Sequence, residues 1–254
     1  MLAVERMRQI QCALEEEKQV SVSALSSRFQ VSEETIRRDL EKITKNDPTI
    51  VRVHGGAYKA GVFDSEMPVQ LRETLSVERK KTIANSCIPL IHVNDTIMLD
   101  CSTTALHLAM VIRQMRYGLT IITNSLRIIE VLRDCEEIKL IMLGGDFRNT
   151  TMSFVGYETT KMLSHFRAER CFISCTGLHM EYGITDNSEN EVQVRRMMMD
   201  NAKERFLLAD AFKFGRSFLS VLGEPEEFSA VVTDVKPSEE WLSHFQQHHT
   251  KLIY

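Results

Sequence analysis

The apolar residues near the N-terminus recur at helical spacing in three short stretches. Met7, Ile10 and Leu14 fall at i, i+3 and i+7, as do Val22, Leu25 and Phe29, while Ile36, Leu40 and Ile43 fall at i, i+4 and i+7. Each set makes one apolar stripe, so the spacing predicts three helices, the first over 5–17, closing on one small core. The second helix ends near Phe29 and the third starts at Ser32, which leaves Gln30 and Val31 for the turn. The Ser32 hydroxyl can accept a hydrogen bond from a free N–H of the third helix, and Glu33 and Glu34 stand in the first turn, where the helix dipole favours acids. So tight a turn between two such helices predicts a helix-turn-helix.

Thr35, Arg37, Arg38 and Lys42 are left off the apolar stripe of that third helix, with Ser32 at its start. A helix with a hydroxyl and two adjacent arginines near its beginning can enter a major groove, where Arg reads guanine edges and hydroxyls hold phosphates. Charge alone would suit a solvated face equally well; the spacing decides for DNA. Asn46, Asp47 and Pro48 then break the helix, since proline lacks an N–H and disfavours helix at the residue before it. The β-branched run at 50–53 ends at His54, Gly55 and Gly56, where glycine permits a tight bend. This reads as a wing, with Arg52 and His54 beside the recognition helix and near backbone phosphates.

Residues 59–68 show no periodicity and mix Gly61, Asp64, Ser65 and Pro68, as a linker does. The expected organisation is a winged helix-turn-helix domain over 1–58, a linker over 59–75 and a second domain over 76–254. In that second part short apolar runs at 96–99, 119–123, 138–143, 170–174, 205–209 and 230–233 are separated by helical segments at 77–91, 104–114, 126–133 and 190–202. Such alternation predicts an α/β domain with a mostly parallel sheet covered by helices.

Composition changes this picture little. The 254 residues are 43% apolar and 26% charged, those of a globular protein with a real core. No apolar run approaches the roughly 18 residues of a membrane span, and the N-terminus lacks the apolar stretch of a signal peptide, so a cytoplasmic location without membrane contact is expected. The six cysteines include no CxxC pair, which argues against zinc and structural disulfides, and no cofactor is called for. The net charge is −4, but residues 1–60 hold ten basic against nine acidic residues, so the bulk sum says little and local placement governs DNA binding.

Ligands of open parallel sheets sit outside the carboxyl ends of the strands. Here those ends carry Asp100, Ser102, Thr103 and Thr104 after the first predicted strand, Asn124 and Ser125 after the second, Gly144, Gly145 and Arg148 after the third, and Asp210 and Lys213 after the fifth. Hydroxyls and free N–H groups at a helix start suit a phosphate, glycines allow close backbone approach, and Arg or Lys pairs with an anion. A Ser/Thr-capped helix after a strand is ordinarily only a cap. Their joint occurrence around one rim is the signal.

The string SVSALSSRFQVSEETIRRDL, followed by VRVHGGA at 51–57, resembles the N-terminus of the DeoR family of bacterial transcriptional regulators. TIMLDCSTT, TIITNSL, IMLGGDFR and LLADAFKFGR continue the resemblance through most of the chain. It implies a sensor domain similar in fold to ribose-5-phosphate isomerase, with phosphorylated sugars or polyols as effectors. DCSTT matches the family's phosphate loop with Ser102 where glycine is usual, the loop around Pro48 is about one residue longer, and Thr176 stands where the family usually has an acid.

The resulting expectation is a transcriptional regulator, a repressor of carbohydrate metabolism genes, binding double-stranded operator DNA as a homodimer or homotetramer under control of a phosphorylated sugar or polyol. One rival is a sugar-phosphate isomerase with a fused DNA-binding module, which needs a carboxylate base where Thr176 stands. Another is a sensor for protein partners, in which the polar rim is merely a set of helix caps.

Overall fold

The computed structural model describes residues 2–17, 19–47, 50–53, 55–59, 69–115 and 118–254; Pro48, the predicted wing residue His54 and linker residues 60–68 lie outside the described residues. The chain divides into two compact units, Met1–Asp64 with Gln70–Ser76, and Ser65–Val69 with Val77–Tyr254.

The first unit contains α1 (Ala3–Glu17), β1 (Gln19–Ser21), α2 (Val22–Phe29), α3 (Glu33–Asn46), β2 (Ile50–Val53) and β3 (Gly56–Lys59). The three apolar stripes meet as predicted: Ile10, Leu14, Leu25, Ile36, Leu40 and Ile43 are buried in one cluster, with Met7 and Phe29 packed at its margin. Ser21 caps α2 through Ala24 N, and Gln30, left-handed at φ 52°, ends it. Beneath the helices lies an antiparallel sheet in the order β1-β3-β2. Only β2 is legible as a strand in the sequence, because three of its four residues are β-branched whereas β1 and β3 carry at most one. Gly56 joins them: a Cβ there would stand 2.1 Å from the Val20 carbonyl oxygen, so only glycine allows this approach. Arg6 of α1 donates to the Asp39 carboxylate of α3 at 2.5 Å, and both residues are buried.

Within the stretch read as a linker a short helix forms, α4 (Val69–Thr74). Six residues cannot show helical periodicity, and what anchors its start is tertiary: Val69 is buried and its N–H donates to the Thr150 carbonyl at 2.7 Å.

The second unit runs α5 (Val77–Cys87), β4 (Thr96–Leu99), α6 (Thr103–Ile112), β5 (Thr120–Thr123), α7 (Leu126–Leu132), β6 (Lys139–Met142), β7 (Asp146–Arg148), β8 (Ser153–Val155), α8 (Tyr157–Leu163) and β9 (Ala168–Ser174). It continues with β10 (Gly177–His179), β11 (Gly183–Asp186), α9 (Glu189–Asp200), β12 (Ala202–Leu208), β13 (Ser220–Gly223), β14 (Ala230–Val232), α10 (Glu239–Gln247) and β15 (Lys251–Ile253). Seven strands form a parallel sheet in the order β15-β14-β12-β9-β4-β5-β6. Its strands read as continuous apolar runs because both faces are buried. Met98, Ile122, Ile173 and Leu207 face a core with Val194 and Met198 of α9, and Ile97, Ile121, Phe172 and Phe206 face one with Ile83 of α5, Leu108 of α6 and Ile128 of α7.

Two additions cap one end of this sheet. β7 and β8 form an antiparallel hairpin, and β10, β11 and β13 form a small antiparallel sheet. These short strands mix polar residues and glycine with apolar ones and form no uninterrupted apolar run, so they are not legible in the sequence.

Candidate functional site

On the first unit, the exposed side of α3 carries the predicted DNA-reading residues. Ser32 accepts from Thr35 N at 3.3 Å and its hydroxyl meets that of Thr35 at 2.9 Å, so the start of α3 is built by its own side chains. Arg37 pairs with Glu33 at 2.6 Å and Arg38 with Glu34 at 3.2 Å, one turn back, and the arginine side chains remain 44% and 73% exposed. Lys42 and Arg52 are exposed as well. Glu41 has its pKa lowered by Lys45, with which it is hydrogen-bonded, and to a lesser degree by Arg52 of β2, the strand that packs against α3. This surface therefore presents a hydroxyl pair and several cations along one helix. Exposed i,i+4 pairs contribute at most about 1 kcal/mol, so both arginines exchange their glutamate for another partner at little cost.

On the second unit, the strand ends meet around Asp100. Its Oδ1 accepts from Ser102 N at 3.1 Å and from the Ser102 hydroxyl at 2.6 Å, and its Oδ2 from Ser174 N at 3.1 Å and Arg195 Nε at 2.7 Å. This carboxylate is 1% exposed and spends its acceptor capacity inside the protein, shaping the loop that starts α6. Ser102 then caps α6 by accepting from Ala105 N at 3.1 Å. The N–H groups of Thr103 and Thr104 lie in the first helical turn, where no intrahelical acceptor exists. From the far side Lys213 donates to the Ser174 hydroxyl at 2.5 Å, and that hydroxyl donates to the Leu208 carbonyl. The ends of β4, β9 and β12 thus bring Asp100, Ser102 and Lys213 into one hydrogen-bonded chain through Ser174, which the sequence reading did not single out.

Other rim residues are engaged differently from expectation. Gly145, expected to admit a ligand, lies with its Cα against α8: a Cβ there would stand 2.0 Å from Thr159 Oγ1 and 2.7 Å from the Val155 carbonyl oxygen. The close approach it permits is filled by the protein's own chain. Arg148 lies in β7 and its Nη1 donates to Ser188 at 2.6 Å and Glu191 at 3.0 Å, at the start of α9. Ser125 caps α7 through Ile128 N. Asp210 turns back on Phe212 N at 2.9 Å. Asn124 Nδ2 donates to the Phe154 carbonyl at 2.9 Å.

Sequence reasoning missed Arg195. Its guanidinium donates to Asp100, to Asp186 at 2.7 Å and to Glu191 at 3.4 Å, and is 4% exposed. Burial opposes its charge, yet Asp186, Asp100 and Glu191 together raise its pKa well above the guanidinium's usual value. Burial likewise pushes Asp186 up, but Arg195 and the bonds from Thr176, Ser188 and Asn187 hold it below the usual carboxylate range. A signal existed: Val192, Arg195 and Met199 share one stripe of α9, and a cation in an apolar stripe needs partners.

A family model described as the DeoR C terminal sensor domain matches residues 75–235, and one described as the DeoR-like helix-turn-helix domain matches residues 6–60. The chain belongs to the DeoR family. This DeoR-family protein is 33% identical over 234 residues to an uncharacterized HTH-type transcriptional regulator, YulB, of Bacillus subtilis, covering 92% of this chain and 90% of that one. It is 34% identical over 207 residues to the lactose phosphotransferase system repressor of Staphylococcus epidermidis, over 80% of this chain and 81% of the relative. The glycerol-3-phosphate regulon repressor of Escherichia coli is 28% identical over 233 residues, 92% of this chain and 91% of its own. Like these relatives, this member is a DNA-binding transcriptional regulator. No helix among its described residues is long and apolar enough to cross a membrane. Two of its departures from the family pattern have local roles: Ser102 holds Asp100 and caps α6, and Thr176 donates to Asp186.

Proposed function

We propose that this protein is a repressor of carbohydrate-metabolism genes that binds operator DNA as a homodimer or homotetramer and is controlled by a phosphorylated sugar or polyol. The observation that carries the effector class is a strand-end rim on which Thr103 and Thr104 open α6 after Asp100, while Lys213 is held through Ser174 to that same Asp100. Backbone N–H groups, hydroxyls and an ammonium together suit a phosphate. Of the predicted effector residues, Ser102, Thr103, Thr104 and Lys213 hold the phosphate, Asn124 and Arg148 border the sugar, and Asp100, Ser125, Gly145 and Asp210 position the rim. On DNA, Arg37 and Arg38 read bases, and Ser32, Thr35, Lys42, Arg52 and His54 meet the backbone. The names of two relatives, a lactose phosphotransferase system repressor and a glycerol-3-phosphate regulon repressor, agree with this class.

The protein senses its effector without transforming it. Isomerisation needs a base held at the sugar carbon and tuned to the working pH. Asp100 is consumed by four hydrogen bonds, and burial pushes the Cys175 thiol up to about 12. The test is to select DNA from a random pool with the purified protein, then titrate ribose 5-phosphate, hexose phosphates and glycerol 3-phosphate against the complex. A shift in DNA affinity with one of them, and no solvent deuterium entering it, is expected; deuterium entry above the uncatalysed rate would favour the isomerase rival.

A further inference from the structure

Asn124 follows β5 at the strand-end rim and is 1% exposed. The orientation of its side-chain amide is determined by its neighbour. Nδ2 donates to the Phe154 carbonyl at 2.9 Å, a role the amide oxygen cannot take, and Phe154 N donates in turn to the Asn124 main-chain carbonyl at 2.8 Å. The β8 strand therefore clamps this residue from both its side chain and its backbone. The remaining atom, Oδ1, is buried and has no hydrogen-bond partner among the described residues. Buried polar atoms are almost always paired, so an orphan at a ligand rim calls for a donor from outside the chain.

Its place in the sheet says which donor. The register pairs Leu99 of β4 with Thr123 of β5, so Asp100 and Asn124 stand side by side one residue further on. Met98 and Ile122 share one face of the sheet, and by the alternation of strand side chains Asp100 and Asn124 continue that face. Asp100 is saturated by Ser102, Ser174 and Arg195, so this strand pair offers no free carboxylate to an ammonium. What it offers is the neutral carbonyl oxygen of Asn124, one strand over from the saturated Asp100. A neutral hydroxyl is the matching donor.

We propose that Asn124 Oδ1 accepts a hydrogen bond from a hydroxyl of the bound effector, which makes Asn124 the residue that distinguishes a polyhydroxylated phosphate ester from its deoxy counterpart. This rests on the phosphate-binding reading of the same rim. The Asn124 carbonyl is held rigidly by Phe154, and a site built to pair with a hydroxyl rejects an analogue lacking it, because its own buried polar group is then left unpaired.

The experiment is calorimetric titration of the full-length protein with glycerol 3-phosphate, ribose 5-phosphate and glucose 6-phosphate. Each is paired with an analogue lacking hydroxyls: propyl phosphate, 2-deoxyribose 5-phosphate and 2-deoxyglucose 6-phosphate. The wild type is expected to prefer at least one hydroxylated ester by about tenfold or more, and Asn124→Ala is expected to erase that preference while still binding inorganic phosphate. Equal binding of all pairs by the wild type overturns the proposal and leaves the phosphate-binding reading standing, a result that needs no variant to fold. A preference that persists in Asn124→Ala does the same. Binding of no phosphorylated compound by the wild type overturns both.

Discussion

Arg195 Nε donates to Asp100 Oδ2 at 2.7 Å, tying α9 to the end of β4 across 95 residues of chain. The same guanidinium serves Asp186 and Glu191, so one buried cation compensates three carboxylates. Breaking a buried ion pair by removing one partner is costly because the other charge stays buried. Arg195→Met is expected to destabilise the second unit by about 3–5 kcal/mol, read from the urea midpoint at constant slope. A midpoint like that of the wild type would mean that the cluster contributes nothing to stability.

The cluster also has a pH signature. The pKa of Asp186 lies below its usual value of 3.8 in the folded protein, because Arg195 and its hydrogen-bond donors outweigh burial. A group whose folded pKa is depressed contributes stability above its unfolded pKa and loses it as pH falls through the folded one. Asp186→Asn is therefore expected to be less stable than wild type at pH 7, with the difference shrinking as pH drops below that unfolded value. Thermal melts of both proteins across pH 7 to pH 3 check this; a difference independent of pH would mean that the carboxylate charge is not the source.

The helix-turn-helix was legible because three apolar stripes with a Ser cap are local features, and Ile10, Leu25, Ile36 and Leu40 met in the core they imply. The parallel sheet was legible because a strand buried on both faces is an uninterrupted apolar run, as at 96–99 and 170–174. The hairpin of β7 and β8, the small sheet of β10, β11 and β13, and strand β1 were not, since these strands mix polar residues and glycine with apolar ones and form no uninterrupted apolar run. At the rim, residue types announced polarity but not allegiance. Asp100 and Gly145 looked alike as ligand residues, yet one is saturated by Arg195 and its neighbours and the other is closed by Thr159. Only the third dimension separates them from Asn124, whose oxygen is left over.

Thiol chemistry offers an independent check on the core. Burial pushes Cys171 and Cys175 up to about 12, and Cys87 is raised further by the same cause, whereas Cys12 is exposed. The thiolate is the reacting species, so at pH 8 iodoacetamide is expected to alkylate Cys12 first and to spare Cys87, Cys171 and Cys175 until the protein unfolds. Peptide mass mapping over a time course reads the order. Early modification of Cys175 would reopen it as a reactive group at the rim.

On α3, Arg38 is more exposed than Arg37 and sits in the longer of the two glutamate pairs, 3.2 Å against 2.6 Å. Arg38→Ala is expected to weaken binding to selected DNA by about 1–3 kcal/mol, the worth of a specific base contact, and Arg37→Ala by less. Because neither side chain is in the core, both variants should melt like wild type. Anisotropy titrations over a range of salt concentrations separate base from phosphate contacts, and wild-type affinity in both variants would remove α3 as the reading helix.

Lys213 and Thr103 follow the carboxyl ends of the parallel strands β12 and β4, the first donating to the Ser174 hydroxyl at 2.5 Å and the second standing in the opening turn of α6. An ammonium with three donors that gives one to Ser174 keeps others for a phosphate oxygen. Removing such a charge-assisted bond costs about 1.5–3 kcal/mol, so Lys213→Ala should bind the responsive sugar phosphate about tenfold to a hundredfold more weakly. Thr103→Ala loses a neutral bond of about 1 kcal/mol and should lose correspondingly less. Both residues belong to the second unit, so binding of selected DNA without effector should match wild type while the effector response shifts to higher concentration. Titrating effector against the protein–DNA complex measures both quantities at once, and an unchanged response in Lys213→Ala would remove the strand-end rim as the place where the phosphate is held.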